Sequence, residues 1–408
     1  MPDIASHNGI DVADIASING QDVPSGGGGV SEPTSGIISI GGGNTSNNIL
    51  AHTPAERIFQ TVEFHSSVSS PPGVSDVAKI KGGRNALGLL DNSGNLFMIG
   101  VGGSSSVGSG YSYGGKIRQF GLALTSVAEF SSGDDHTLAV KTDGTLWGVG
   151  RGSYGQFGAG NTSSLYTNFA QIGSDTNWSK VSCGEDYSLA IKTTGALYSA
   201  GRNSDGRTGQ GTTSGSTTSW TQIGSDTDWT QISTGQKASA AIKGGTLVTW
   251  GDDANNQLGL SSSGDQTSPG TANSDTDWQS AHVGANYIKA IKTTSGHHYH
   301  CGSGGGFGAG SRGDGSASSL SSFTRIGSDT GWTEFIEIKY SSFAYHAAGK
   351  KSGNWYVCGR YDGIPYIRVS GVSTTSNTTT FVQLTSPAPS IIGAVNAESS
   401  RPEFIYVV

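Results

Sequence analysis

Charge is what this sequence has least of. Asp, Glu, Lys and Arg together make up 13% of 408 residues, about half the ~25% of an average globular protein. Long helices with Lys- and Glu-covered outer faces are therefore not expected. Cysteine is nearly missing. Cys183, Cys301 and Cys358 are an odd, sparse set, which argues against a disulfide framework, and no Cys-x-x-Cys pair suggests structural zinc. The 24 Lys and Arg residues are outnumbered by 31 acidic ones and nowhere cluster. The basic surface that releases counterions from nucleic acid is thus lacking, and no nucleic-acid partner is expected. No apolar run approaches the ~20 residues of a membrane-spanning helix, so no membrane insertion is expected. The opening MPDIASHNGI has neither the basic nor the apolar region of a secretory signal.

Glycine, by contrast, is abundant, with 65 residues. With so much Ser, Thr and Asn beside it, the composition suits many short strands joined by tight turns. One phrase recurs: IGSDTNW ending at Trp178, IGSDTDW at Trp229, ANSDTDW at Trp278 and IGSDTGW at Trp332, at spacings of 51, 49 and 54 residues. Each repeat has the same grammar. A short strand ends in Gly. A second strand, such as SLAI, is apolar enough to be buried on both faces. A Lys-Thr-x-Gly turn follows, then a third strand that carries an aromatic and stops at Gly. A polar Gly/Asn loop and the recurring phrase supply a fourth, outer strand. Four short antiparallel strands per ~50 residues describe a propeller blade, which must stack on neighbours to bury both its faces.

The glycine that ends each third strand stands at Gly41, Gly100, Gly150, Gly201, Gly251, Gly302 and Gly359. Counting these predicts an all-β fold, a seven-bladed β-propeller spanning 36–408. IISIGGGNTS (37–46) reads as a third strand with nothing ahead of it, and AVNAESSRPEFIYVV (394–408) reads as inner strands with nothing after them. The expectation is that N- and C-terminal strands close the ring inside one blade.

The residues Gly133-Asp-Asp-His136-Thr-Leu-Ala-Val, Thr145-Leu-Trp147-Gly148 and Gly155-Gln156-Phe157-Gly158 resemble the regulator-of-chromosome-condensation repeat over roughly 370 residues. A kelch-type propeller, with a period of ~50 too, fits less well, because no double glycine recurs at one strand end. The resembled family includes an exchange factor for a small GTPase, a plant UV-B photoreceptor and a β-lactamase inhibitor. The chain lacks the basic tail of the first, the Trp-x-Arg-His segments of the second, and the secretion signal that the third would need. The resemblance implies a binding or structural protein, not an enzyme, with no cofactor.

Residues 1–24 are different in kind. Ile4-Ala-Ser-His-Asn8-Gly9-Ile-Asp-Val12 is followed by Ile15-Ala-Ser-Ile-Asn19-Gly20-Gln-Asp-Val23. Asn-Gly between apolar runs is a strong hairpin signal. The segment 25–35 reads as a Gly/Ser-rich linker. The arm resembles the short N-terminal arms of some tailed-phage structural proteins. That implies a non-enzymatic virion appendage, a tail fibre or capsid decoration, assembled in the host cytoplasm. It would dock on other virion proteins through Ile4, Asn8, Gly9, Val12, Ile15, Asn19, Gly20 and Val23. The propeller would bind a host-surface ligand, neighbouring subunits or further copies of itself. The alternative is an intracellular interaction module that regulates a protein partner.

Candidate chemistry is sparse. His298 and His300 share one face of a third strand by period-2 alternation, and two such histidines are weak candidates for a metal, although packing between blades is the favoured reading. His136 occupies the family's repeat histidine and reads as a packing residue. Asp134, Asp135, Glu185 and Asp186 read as turn formers ahead of acid–base catalysts.

Overall fold

A computed structural model describes residues 77–84, 86–100, 121–162, 164–260, 264–304, 311–336, 346–359, 378–383, 391–396 and 402–407. In the first quarter of the chain it describes the strand segments 6–7, 10–11, 17–18, 21–22, 37–40, 49–50 and 61–62. Every regular element among them is a β-strand. The chain divides into two units, Met1–Pro33 and Thr34–Val408. In the first, Ser6–His7 pairs with Ile10–Asp11, and Ser17–Ile18 with Gln21–Asp22.

The second unit contains six four-stranded antiparallel blades, each ordered as the chain runs. Their first strands are Val77–Gly82, Val127–Ser132, Trp178–Cys183, Trp229–Thr234, Trp278–Val283 and Trp332–Phe335. Their second strands are Ala86–Asp91, His136–Lys141, Tyr187–Lys192, Ala238–Lys243, Tyr287–Lys292 and His346–Lys351. The expectation of a seven-bladed propeller is corrected: six sheets have the blade form, not seven. Ile37–Ile40 does pair with Pro402–Val407, with Ile40 opposite Phe404 and Ile37 opposite Val407, and Pro402–Val407 pairs in turn with Ile391–Asn396. Among the described residues that sheet has three strands. Counting strand-ending glycines overstated the blades, because a glycine marks where a strand stops and not whether three partners join it. Gly41, the first in that count, lies outside the described residues.

The blades follow from the alternation of their strands. HTLAVK, YSLAIK and ASAAIK are buried on both faces up to their last residue. The outer strand STTSWTQ is exposed or half-buried throughout. The core therefore lies between blades. Leu138, Val140 and Phe157 of the second blade meet Trp178 and Val181 of the third. Tyr187, Leu189 and Leu197 of the third meet Trp229, Ile232 and Trp250 of the fourth. Each such fully buried side chain contributes roughly 1.5–3 kcal/mol.

The recurring phrase is an inter-blade joint. Lys192 Nζ donates to Asp175 at 2.6 Å and lies 4.7 Å over the Trp178 ring. Lys243 does the same with Asp226 and Trp229, Lys292 with Asp275 and Trp278, and Lys351 with Asp329 and Trp332. The backbone adds a stitch. The N–H of Trp178 donates to Gly144 O of the preceding blade at 3.0 Å, and the N–H of Trp229 to Gly195 O at 3.2 Å. Gly195 holds φ +81°, and a Cβ there would overlap the Thr227 carbonyl. The turn thus requires glycine on both counts. The tryptophans pack at blade seams, as their place in the repeat implies.

Candidate interaction surface

One end of the blades gathers polar side chains. The residue after the strand-ending glycine is clipped to the turn between the first two strands. Arg151 N–H donates to Asp135 O at 2.7 Å, Arg202 N–H to Asp186 O at 2.9 Å, Asp252 N–H to Lys237 O at 3.1 Å, and Ser303 N–H to Asn286 O at 2.9 Å. These clips bring the Gly-x-x turns and the loops after the third strands to the same face. The Arg84 N–H reaches Gly133 O of the next blade at 3.2 Å.

On this face five carboxylates root four arginines. Arg84 donates to Asp134 Oδ2 at 3.3 Å, Arg151 lies 3.8 Å from Asp135, and Arg202 donates to Asp186 at 3.3 Å. Arg207 is buried and joins Glu185, at 3.2 Å, to Asp205. The four acidic residues that the sequence marks as turn formers do sit in turns, and their carboxyl groups are also the partners of this arginine set. In the pairs of Arg84, Arg151 and Arg202, unlike that of Arg207, the arginine is the more exposed partner. The side chains of Arg84 and Arg151 are 60% and 54% exposed, against 8% for Asp134. Tyr154 is an exposed aromatic with the Arg202 guanidinium 5.1 Å from its ring centre.

Asp134 is the most perturbed group here. Burial, reinforced by the neighbouring Glu185 charge, pushes its carboxyl up to about 8 against the opposing pull of Arg84. Its Oδ1 is buried without a hydrogen-bond partner. Burial and Glu185 also raise Asp186. Deeper in, the seam between the first and second blades is tied by Glu129. Its burial alone would raise it, but Lys81 and Lys79, at 2.9 and 2.8 Å, hold it down to about 2.

The histidines serve seams. His136 Nε2 lies 2.8 Å from Ser188 Oγ of the next blade. In the following seam the Tyr187 hydroxyl donates to Ala238 O at 2.8 Å. His298 and His300 are both buried. His298 Nε2 is 3.3 Å from Arg312 O, and His300 Nε2 is 3.0 Å from Ser303 O. Burial, followed by the positive charge of Lys289, holds both imidazoles well below their usual range. Among the described residues, the side chains close enough to share a metal ion are instead Asp205, Asp252 and Asp265. The guanidinium of Arg207, already on Asp205, opposes a cation there. The arm positions Ile4, Asn8, Gly9, Val12, Ile15, Asn19, Gly20 and Val23 lie outside the described residues.

Sequence reasoning passed over Lys289. It is 1% exposed, at a strand position where other blades carry Leu138, Leu189 and Ala240. Its Nζ lies 3.2 Å from Arg312 O and 3.4 Å from His300 Nδ1, over the rings of Phe335, Phe381 and Tyr287. Burial pushes it down to about 8. The available signal was a lysine in a slot that is apolar elsewhere in the repeat.

Comparison with known proteins gives the same repeat. The model of the regulator of chromosome condensation (RCC1) repeat matches residues 127–156 and 178–207, and a second model of that repeat matches residues 143–191. The chain is 31% identical over 153 residues to the E3 ubiquitin-protein ligase HERC2 of Homo sapiens, covering 36% of this chain and 3% of that one. It is 27% identical over 210 residues to the Regulator of chromosome condensation of Xenopus laevis, covering 46% of this chain and 50% of that one. It thus spans half or less of the length of either relative. Human WBSCR16 superposes with a TM-score of 0.67 at 18% identity, over 82% of this chain and 87% of that one. Yeast RCC1 (Prp20), crystallised with Kap60, superposes with a TM-score of 0.66 at 14% identity, over 81% and 80%. The fold is therefore that of the regulator-of-chromosome-condensation propellers, and residues 127–207 carry that family's repeat.

Proposed function

We propose that the propeller is a non-catalytic protein-interaction module that regulates a protein partner through the face holding Arg84, Arg151, Arg202 and Tyr154. The observation that carries this reading is the division of charge by depth, with guanidinium groups and an aromatic ring outward and carboxylates beneath. Arg and Tyr are the residue types that most often dominate binding energy at protein interfaces. Yeast RCC1 (Prp20) has been crystallised with Kap60, and its binding to Gsp1p and histones has been described. These are protein partners, which favours an interaction module here as well. A photo-crosslinking residue in place of Tyr154 is expected to trap a partner in cell extract. One in place of Thr194, in an exposed turn between a second and a third strand, is expected to trap none. Equal trapping at both sites, or none at either, would refute this assignment of the face.

A second reading rests on the tandem ladders of the first 24 residues, Ser6–His7 with Ile10–Asp11 and Ser17–Ile18 with Gln21–Asp22. Here 1–24 is an anchor and 25–35 a tether. The 36–408 portion is carried on a virion as a tail fibre or capsid decoration and meets a host-surface ligand. Mass spectrometry of purified particles tests it, and absence of the chain from them would end it.

A further inference from the structure

The arginines of the binding face are held in place yet little used. Arg84 and Arg202 each make one side-chain hydrogen bond to a carboxylate, both at 3.3 Å, and Arg151 approaches its own only to 3.8 Å. A guanidinium offers five N–H donors in a planar fork suited to two-point capture of a carboxylate. The three are linked contact by contact. Arg84 and Arg151 bracket the adjacent residues Asp134 and Asp135, and Arg202 lies over Tyr154, in the loop that follows Arg151. Residues far apart in sequence thus present three anchored guanidinium forks on one exposed patch.

We propose that Arg84, Arg151 and Arg202 grip an acidic segment of a protein partner, with Tyr154 flanking it. This rests on the interaction-module reading and names the partner's chemistry. The net charge of the chain is −7, but beyond ~8 Å at physiological salt that charge is screened. At contact distance the partner meets the arginines ahead of their less exposed carboxylate partners. Asp134 tunes the grip. The charged groups facing it are Arg84, Glu185, Asp135 and Asp186. While it is protonated, below about 8, it does not neutralise Arg84, whose charge is then available to the partner. As pH rises through that value Asp134 ionises, competes for Arg84, and repels an incoming carboxylate.

Fluorescence anisotropy of the full chain with labelled hexaglutamate, hexalysine and a single-stranded oligonucleotide tests this. Hexaglutamate is expected to bind, weakening with salt, and hexalysine is not. The triple variant R84Q/R151Q/R202Q, with an unchanged melting curve, is expected to lose at least ~10-fold in affinity, from a few-fold per exposed charge pair. Wild-type affinity is expected to fall between pH 7 and 9, and that fall to vanish in Asp134→Asn. No hexaglutamate binding, or binding untouched by the triple variant, overturns the proposal. So does equal or tighter binding of the oligonucleotide through the same arginines, which would make the face a nucleic-acid site. Crosslinking at Tyr154 in the triple variant separates the two readings. A partner still trapped leaves the interaction face standing while the arginine grip fails. Trapping lost in the variant and present in wild type supports both.

Discussion

Replacing Lys289 by methionine should make the protein more stable. The two side chains are close in length and shape, so the stem keeps its packing, while the buried charge disappears. Burial takes the Lys289 ammonium from 10.5 to about 8. A shift of that size corresponds to about 3 kcal/mol at neutral pH. Against it stand the donor that His300 Nδ1 loses, about 1 kcal/mol, and part of the attraction to three aromatic rings, about 0.5–1 kcal/mol. Arg312 O still has His298 Nε2 at 3.3 Å. The net gain is about 1–2 kcal/mol, or about 1.5–3 °C in Tm for a domain of this size. The pH dependence is more diagnostic. Between about 8 and 10.5 the unfolded chain binds the proton that the folded one has lost, so the wild type gains stability as pH rises through this window. Below about 8 the full cost of the buried charge is present, and above 10.5 it is gone. Urea melts at pH 7, 9 and 10.5 should show the wild type closing on the variant as pH rises. A variant less stable than wild type at pH 7, or a constant difference from pH 7 to 10.5, would refute the reasoning.

Two other substitutions probe the seams. Gly195→Ala combines a positive φ with overlap on the Thr227 carbonyl and should cost about 2–3 kcal/mol in chemical denaturation. Gly224→Ala, at φ +61° with no neighbour in its way, should cost only about 1–2 kcal/mol, and equal costs would show that the overlap is irrelevant. Glu129→Gln should cost about 1–2 kcal/mol at pH 7, the pKa displacement being discounted because Lys79 and Lys81 are partly exposed. The Glu129 contribution is present above its ordinary 4.5 and lost as pH falls toward about 2. Acid titrations of wild type and variant should therefore converge across that interval.

The repeat was legible in the sequence because its recurring residues perform recurring tasks. The Asp and Trp of SDTxW clamp a lysine, and the turn glycine accommodates the next blade. The shared strand of His298 and His300 was legible from alternation, whereas their burial comes from blade packing on both faces of that strand, where Cys301 is buried too. The number of blades did not follow from the glycines. Outer strands such as STTSWTQ and QTSPGT are half-buried and polar, and they carry no fixed residue to count. Lys289 was hidden because a strand lysine ordinarily carries its charge out to water, and only the ring of aromatics from the neighbouring blade closes that route. The arginine patch was hidden for a geometric reason. Arg84, Arg151 and Arg202 lie in separate blades, and it is the backbone clips to the Gly-x-x turns that bring them to one face.

The hydrogen bonds from Trp178 to Gly144 and from Trp229 to Gly195 bear on how such an array can grow or shrink over evolutionary time. A tight bend in one module finds its last donor in the module that follows it, so each module is completed only by its successor. Gene duplications that copy from bend to bend preserve every junction. Those that copy only part of a repeat would leave a carbonyl stranded at the splice.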